Sequence, residues 1–210
     1  MYKIAAFFCL LSCHALGQQL KPGFDKKEYK ELLHIFARTT ADSSYFKNFP
    51  EPEHFKMIYQ SKPIGLDNLW DLWLDENNTA VISLRGTTPK PESWLANFYA
   101  AMVPARGELK LDNEDTFSYE LARDPKAAVH VGWLLSTAYL SRDILPRIDS
   151  LYKKDVKDFL IVGHSQGRSH FLPANLLLIP FTAGRRDSER HSFQNLLQRS
   201  SKTRQPLLCL

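Results

Sequence analysis

An α/β fold with a central, mostly parallel sheet is predicted by three features of the chain. These are a short apolar run from Asp158 to Val162 that ends on Gly163, a long helical segment just before it, and an earlier pair of β-rich runs. The run DFLIV is too short for a helix and partly β-branched, which suits a buried strand of a parallel sheet. From Trp133 to about Tyr152, Leu134, Thr137, Ala138, Ile144 and Ile148 recur near helical spacing, and Pro146 predicts a kink. Leu66 to Leu74 and Thr79 to Thr87 flank Glu76, Asn77 and Asn78, whose turn chemistry predicts a β-hairpin. The Asn77-Asn78-Thr79 sequon is read as part of this turn rather than as a glycan site. Glu92 to Met102 reads as a helix introduced by Pro89 and Pro91, and Gly107 to Lys126 as a surface insertion or irregular hairpin. Near the start, Tyr29, Leu32, Leu33 and Phe36 recur at helical spacing between Asp25 and Arg38, predicting an amphipathic surface helix.

The 210 residues suit one domain with a real core, and 44% hydrophobic with 24% charged residues excludes a disordered or collagenous chain. The net charge of +4 is spread along the chain rather than gathered on one stripe, which argues against a nucleic-acid partner. No apolar run after the N-terminal stretch approaches the roughly 20 residues needed to span a bilayer. The N-terminus itself has Lys3, an apolar run from Ile4 to Leu16, and Ala15-Leu16-Gly17 before Gln18, the pattern of a secretory signal peptide over residues 1–17. The expected location is therefore secreted or periplasmic. Leu10-Leu11-Ser12-Cys13 also resembles a lipoprotein cleavage site, which leaves a lipid anchor on Cys13 as the alternative. Cys9 and Cys13 lie in this leader, so the mature chain keeps Cys209 alone and forms no internal disulfide. The histidines show no ligand spacing, and neither a metal nor another cofactor is implied.

The segment Gly163-His164-Ser165-Gln166-Gly167 carries the chemistry. A serine hydroxyl is a poor nucleophile unless it is held exposed beside a base, and a sharp turn from strand to helix does the holding. Gly163 and Gly167 flank Ser165 because such an elbow leaves no room for side chains two positions either side. Alone, a GxSxG string is a common accident. Preceded by a strand-like DFLIV, it makes Ser165 a candidate catalytic nucleophile.

The blocks VISLRGTTPKPESW, HVGW and DFLIVGHSQG, in this order and spacing, resemble the class 3 (fungal-type) lipases of the α/β-hydrolase superfamily over about Leu66 to Gly167. The resemblance implies a serine hydrolase of lipid carboxylic esters. It puts Thr87 and the backbone N–H of Gln166 in an oxyanion hole, where prearranged donors are commonly worth a few kcal/mol of barrier. Thr88 to Trp94 resembles the family's lid, with Leu95, Phe98 and Tyr99 on the helix that follows; Trp94, Phe98 and Met102 can equally be core. His130 matches a position near the site that is not the triad base, and is assigned a structural role. The substrate implied is a lipid or ester, met at a lipid–water interface. The competing class is a non-catalytic secreted protein, either a lipid-surface binding module or an inactive fragment.

The chain departs from the family after Gly167. A triad in this fold runs Ser, then Asp or Glu, then His, on later strands, and 45 residues follow Ser165. Arg168 stands where the family has a second glycine, and Pro173 falls within the expected helix. Asp187 and His191 follow in the right order but are four residues apart, which makes them weak triad partners. Basic usage also changes, from 14 Lys and 6 Arg before Arg168 to 1 Lys and 6 Arg from it onward. Codons for Arg168 to Pro173 exist whose neighbouring frame reads Ala-Ala-Ile-Phe-Tyr-Leu, like the small, apolar start of the family's helix. The expectation is therefore an incomplete hydrolase domain over residues 18–167 lacking its C-terminal strands. Its tail over 168–210 is either out of frame or genuinely divergent, and the chain as given is nearly inert.

If the leader is cut as expected, mass spectrometry of the exported protein reads Gln18 as its first residue; a lipid-modified Cys13 overturns this.

Overall fold

The computed structural model describes residues 24–40, 43–112, 115–122, 124–167 and 169. Helix α1 (Lys26–Arg38) begins at Asp25, whose carboxylate accepts hydrogen bonds from the N–H groups of Lys27 and Glu28 and so satisfies two orphan donors of the first turn. Its buried residues are Glu31, His34, Ile35 and Ala37; of the predicted stripe, Leu32 packs against the sheet, Tyr29 and Phe36 are half-buried and Leu33 is exposed. The helix is turned this way because the Glu31 carboxylate caps the N–H groups of Glu53 and His54 at 3.0 and 3.1 Å, tying α1 to the chain entering the sheet. A short α2 (Ser43–Phe46) follows.

Four strands form the main sheet, in the order β1 (Phe55–Gln60), β2 (Trp70–Asp75), β3 (Thr79–Leu84) and β8 (Asp158–Gly163). The predicted hairpin is β2–β3, trimmed at both ends, with Asn78 at φ 61° in its turn. Among the described residues the sheet is mixed rather than mostly parallel: β1–β2 and β2–β3 are antiparallel, and β3–β8 is parallel. The reason is connection length. Three residues between β2 and β3 can only reverse the chain, whereas the return from β3 to β8 runs through helices and can cross over. Strand β1 had no distinct signal in the sequence, because it is an edge strand with Met57 and Ile58 exposed.

Helix α3 (Pro91–Phe98) stops short of the predicted Met102, which instead opens β4 (Met102–Pro104) and pairs with His130 of β7 (Ala128–His130). The predicted irregular hairpin is β5 (Arg106–Lys110) with β6 (Thr116–Glu120). Helix α4 (Val131–Lys153) is the predicted long helix and continues through Pro146, which withdraws one N–H from its ladder.

The sheet lies between helices. Trp70, Leu72, Ala80, Ile82, Leu84 and Phe159 pack on Leu140, Ile144, Ile148 and Leu151 of α4. Trp73 and Val81 pack on Ile35 of α1 from the other face. Both faces being covered explains why β3 is buried at every position and shows no polar alternation.

The α1 side of β2 also holds Asp71, fully buried, with Oδ1 accepting from Gln60 Nε2 at 2.9 Å and Oδ2 without a partner. Burial pushes its carboxyl above the ordinary carboxylate range, with the Gln60 hydrogen bond opposing. A pKa raised by folding gives stability that is present below the unfolded value near 4 and lost as pH rises through the folded one. Asp71→Asn should therefore melt a few degrees higher than wild type at pH 7, with the difference fading towards pH 4. Equal melting temperatures at pH 7 contradict this.

Candidate active site

The site follows from one alignment of strand ends. In the parallel pair, Leu84 lies opposite Gly163, so the segments leaving β3 and β8 emerge side by side at the carboxyl edge of the sheet. One carries Gly86, Thr87 and Thr88; the other carries His164, Ser165 and Gln166. A Cβ on Gly86 would stand 3.0 Å from His164 O and 3.7 Å from the Ser165 Cβ, which measures how closely the two segments touch.

Ser165 has φ 53°, in the left-handed region that a non-glycine residue occupies at a cost of about 1–2 kcal/mol. The N–H of Gly167 donates to His164 O at 3.1 Å and that of Ser169 to Ser165 O, so the chain turns from strand to helix within two residues. Gly167 is required there: a Cβ would lie 2.4 Å from Leu84 O and 2.9 Å from Arg85 O, both backbone atoms. Gly163 ends β8 opposite Leu84.

The Thr87 segment is pinned from both sides. The buried Asp67 carboxylate takes hydrogen bonds from Arg85 at 2.9 Å, Thr88 Oγ1 at 2.7 Å and Lys90 Nζ at 2.9 Å. Burial raises the pKa of Asp67, but the hydrogen bonds of Lys90 and Thr88 and the charges of Arg85 and Lys90 outweigh it and hold the carboxyl below its ordinary value. On the other side, Thr88 N–H donates to Ser93 Oγ at 3.0 Å, and Ser93 Oγ donates to Oε1 of the buried Gln166 at 3.1 Å. Asn97 Nδ2 donates to Thr87 Oγ1 at 3.0 Å. Helix α3 thus seats its polar, small side on the site. It can come this close because Gly132 begins α4 beneath it: a Cβ on Gly132 would fall 2.2 Å from Ala96 O.

The opposite side of α3 is apolar and open. Trp94, Leu95 and Phe98 are exposed, Phe98 at 74%, with Trp94 stacked on Phe98 at 5.5 Å, and Tyr99 and Met102 extend the patch. The reading of Trp94, Phe98 and Met102 as core is therefore not met, because the helix buries Ser93 and Ala96 instead.

His130 is not available as a base. Its Nδ1 accepts from Trp133 N–H at 3.3 Å, capping α4, so Nε2 carries the proton given to Asn97 O at 3.1 Å. Among the described residues no histidine hydrogen bonds to the Ser165 hydroxyl, and no group of His, Cys, Asp or Glu is placed to hold a metal ion. Asp187 and His191 lie outside the described residues. Ser165, Gln166, Thr87, Gly163 and Gly167 are brought together. Asp67, Ser93, Asn97 and Trp133, which organise them, carried no signal in the sequence because their partners are distant along the chain.

A sheet flanked by helices on both faces, with a serine on a left-handed turn after a parallel strand, is an α/β-hydrolase-like arrangement. Solved structures bear this out at the level of the fold. The chain resembles Rhizomucor miehei triacylglyceride lipase at 18% identity and TM-score 0.52, over 79% of this chain and 60% of that one. It resembles the lipase of Rhizopus microsporus var. chinensis at 17% and 0.50, over 78% and 52%. A third likeness is to a triacylglycerol lipase whose catalytic centre is a serine protease triad, at 17% and 0.50, over 80% and 61%. The chain spans between half and about three-fifths of those lipases. No family model and no curated protein matches it.

Gly167→Ala should destabilise the protein by about 3 kcal/mol, since the clash is with backbone that cannot step aside. Urea denaturation checks this, and an unchanged midpoint would sink it.

Proposed function

We propose that the chain is part of an exported serine hydrolase of lipid carboxylic esters, with Ser165 as nucleophile through an acyl-enzyme. The observation that carries this reading is the left-handed backbone of Ser165 at the carboxyl end of a parallel strand, directly beside the Thr87 segment. A strained backbone of this kind suits a serine whose hydroxyl is to be held at the edge of the sheet. In the reaction, Ser165 Oγ attacks the ester carbonyl, and the negative oxygen that forms is met by the Thr87 hydroxyl and the Gln166 N–H. Donors already fixed in place stabilise it without reorganisation. The fungal lipases of similar fold support an ester of a lipid as substrate. The exposed Trp94, Leu95 and Phe98 support contact with a lipid surface, since burying such aromatic and aliphatic side chains gains about 25 cal/mol per Å². The signal peptide expected over residues 1–17 supports export.

The candidate acid and base, Asp187 and His191, lie outside the described residues, and oxyanion donors without a placed base give only residual catalysis. A fluorescent alkyl phosphonate should label the purified chain slowly, at Ser165, and Ser165→Ala should remove that labelling. Labelling that is absent, or that persists in Ser165→Ala, overturns the reading.

A further inference from the structure

We propose that Asn77 is a modification site, the acceptor of an N-linked oligosaccharide added to the chain during export and before the main sheet closes. The proposal rests on the reading of the chain as exported and adds a covalent site that the hydrolase chemistry does not use. Asn77-Asn78-Thr79 is the one Asn-x-Ser/Thr triplet in the 210 residues, and neither Asn78 nor Ala80 is a proline. From the sequence alone, turn chemistry accounts for it. The structure takes that account away from Asn77.

The turn between β2 and β3 is built by the neighbours of Asn77. Asp75 Oδ1 accepts from the N–H of Asn77 at 3.0 Å and from that of Thr79 at 2.6 Å, while Asn78 N–H donates to Asp75 O at 3.4 Å. Asn78 supplies the left-handed residue, at φ 61°. The Asn77 side chain does neither job: it is exposed, and its amide makes no hydrogen bond among the described residues. An asparagine needed by a turn either bonds the backbone through its side chain or takes a positive φ, and Asn77 does not. Its amide nitrogen is open to solvent.

The place suits a bulky, hydrated group. The hairpin tip stands at the amino end of β3 and, because Thr79 lies opposite Asp158, at that of β8 as well, whereas Thr87 and Ser165 follow the carboxyl ends. The six residues of β3 separate the two ends by about 17 Å at 3.3 Å per residue. A glycan on Asn77 is thus attached away from the serine turn. In the transfer, Asn77 Nδ2 forms a bond to C1 of the first sugar of a polyprenyl-diphosphate-linked oligosaccharide. The C1–O bond breaks, the diphosphate leaves with the electron pair, and one amide proton passes to a base of the transferase. The transferase must also reach the hydroxyl two residues on, and folding encloses it: Thr79 is 5% exposed, in a strand flanked by β2 and β8. Transfer therefore precedes the docking of β8.

The test expresses the full chain in cultured insect cells with its own leader, and residues 18–210 behind the leader of a known secreted protein. Peptide N-glycosidase in heavy-oxygen water releases the sugar and leaves a mass-labelled aspartate at the site, which peptide mass spectrometry reads. Asn77 should carry sugar. Asn77→Gln and Thr79→Val should carry none, and Thr79→Ser, which keeps the hydroxyl, should restore it. No sugar behind the borrowed leader, or sugar that survives Asn77→Gln or Thr79→Val, overturns the proposal. Sugar behind the borrowed leader with none behind the chain's own brings down the export reading and supports the site. The order of events is tested on unmodified chain made in bacteria, given solubilised transferase and lipid-linked oligosaccharide. A peptide spanning Trp73 to Ile82 should accept sugar more than about tenfold faster than the folded chain, which reacts only through local opening. Equal rates overturn the claim that strand pairing closes the site.

Discussion

The pairing of β3 with β8 is the contact from which the rest of the site follows. Only because Leu84 lies beside Gly163 do the segments carrying Thr87 and Ser165 leave the sheet at one edge and touch. The parallel direction matters as much as the register. In an antiparallel pair the two segments would leave at opposite ends, and no arrangement of side chains could bring the threonine to the serine. Burial on both faces, by α4 and by α1, is what holds that register, since a slip of one residue would move Ile82 and Phe159 off their layer. Gly167 then marks the place where the two segments approach closer than a Cβ allows, and Gly86 one where a Cβ would be tight.

Helix α3 turns this edge into a site with two different surfaces. Its inward side is made of Ser93, Ala96 and Asn97, small or hydrogen-bonding residues that satisfy Gln166, Gly132 and Thr87 in turn. Its outward side is Trp94, Leu95 and Phe98. A soluble helix ordinarily buries the second kind of face and exposes the first. The reversal is stabilised by hydrogen bonds from Ser93 and Asn97 rather than by apolar burial.

The two buried carboxylates of the sheet region show how environment separates like groups. Asp67 has two cationic partners and a threonine hydroxyl, so its charge anchors the loop from Arg85 to Lys90. Asp71, four residues on, is more deeply buried, and burial outweighs the opposing Gln60, Thr39 and Trp73 side chains and the Arg85 charge, so its charge is a cost. Both are aspartates on or next to β2, and nothing in their immediate sequence distinguishes the anchor from the liability.

What the sequence determined by itself was local. The strand DFLIV, the hairpin about Asn77 and Asn78, the long helix before Asp158, and the serine between two glycines were legible because each is set by turn chemistry or periodicity within about 20 residues. Edge strand β1 was not, since half of its face meets solvent and leaves no clean pattern. The sense of the strands, the face that α1 buries, and the outward turn of Trp94 and Phe98 belong to tertiary structure. So do Asp67, Ser93, Asn97 and Trp133, whose partners lie as far as 73 residues away in the Ser93–Gln166 bond. A hydrogen bond across that distance is created by the fold and leaves no trace in residue spacing. The sequence could therefore single out the serine, while only packing could show what holds Thr87 near it.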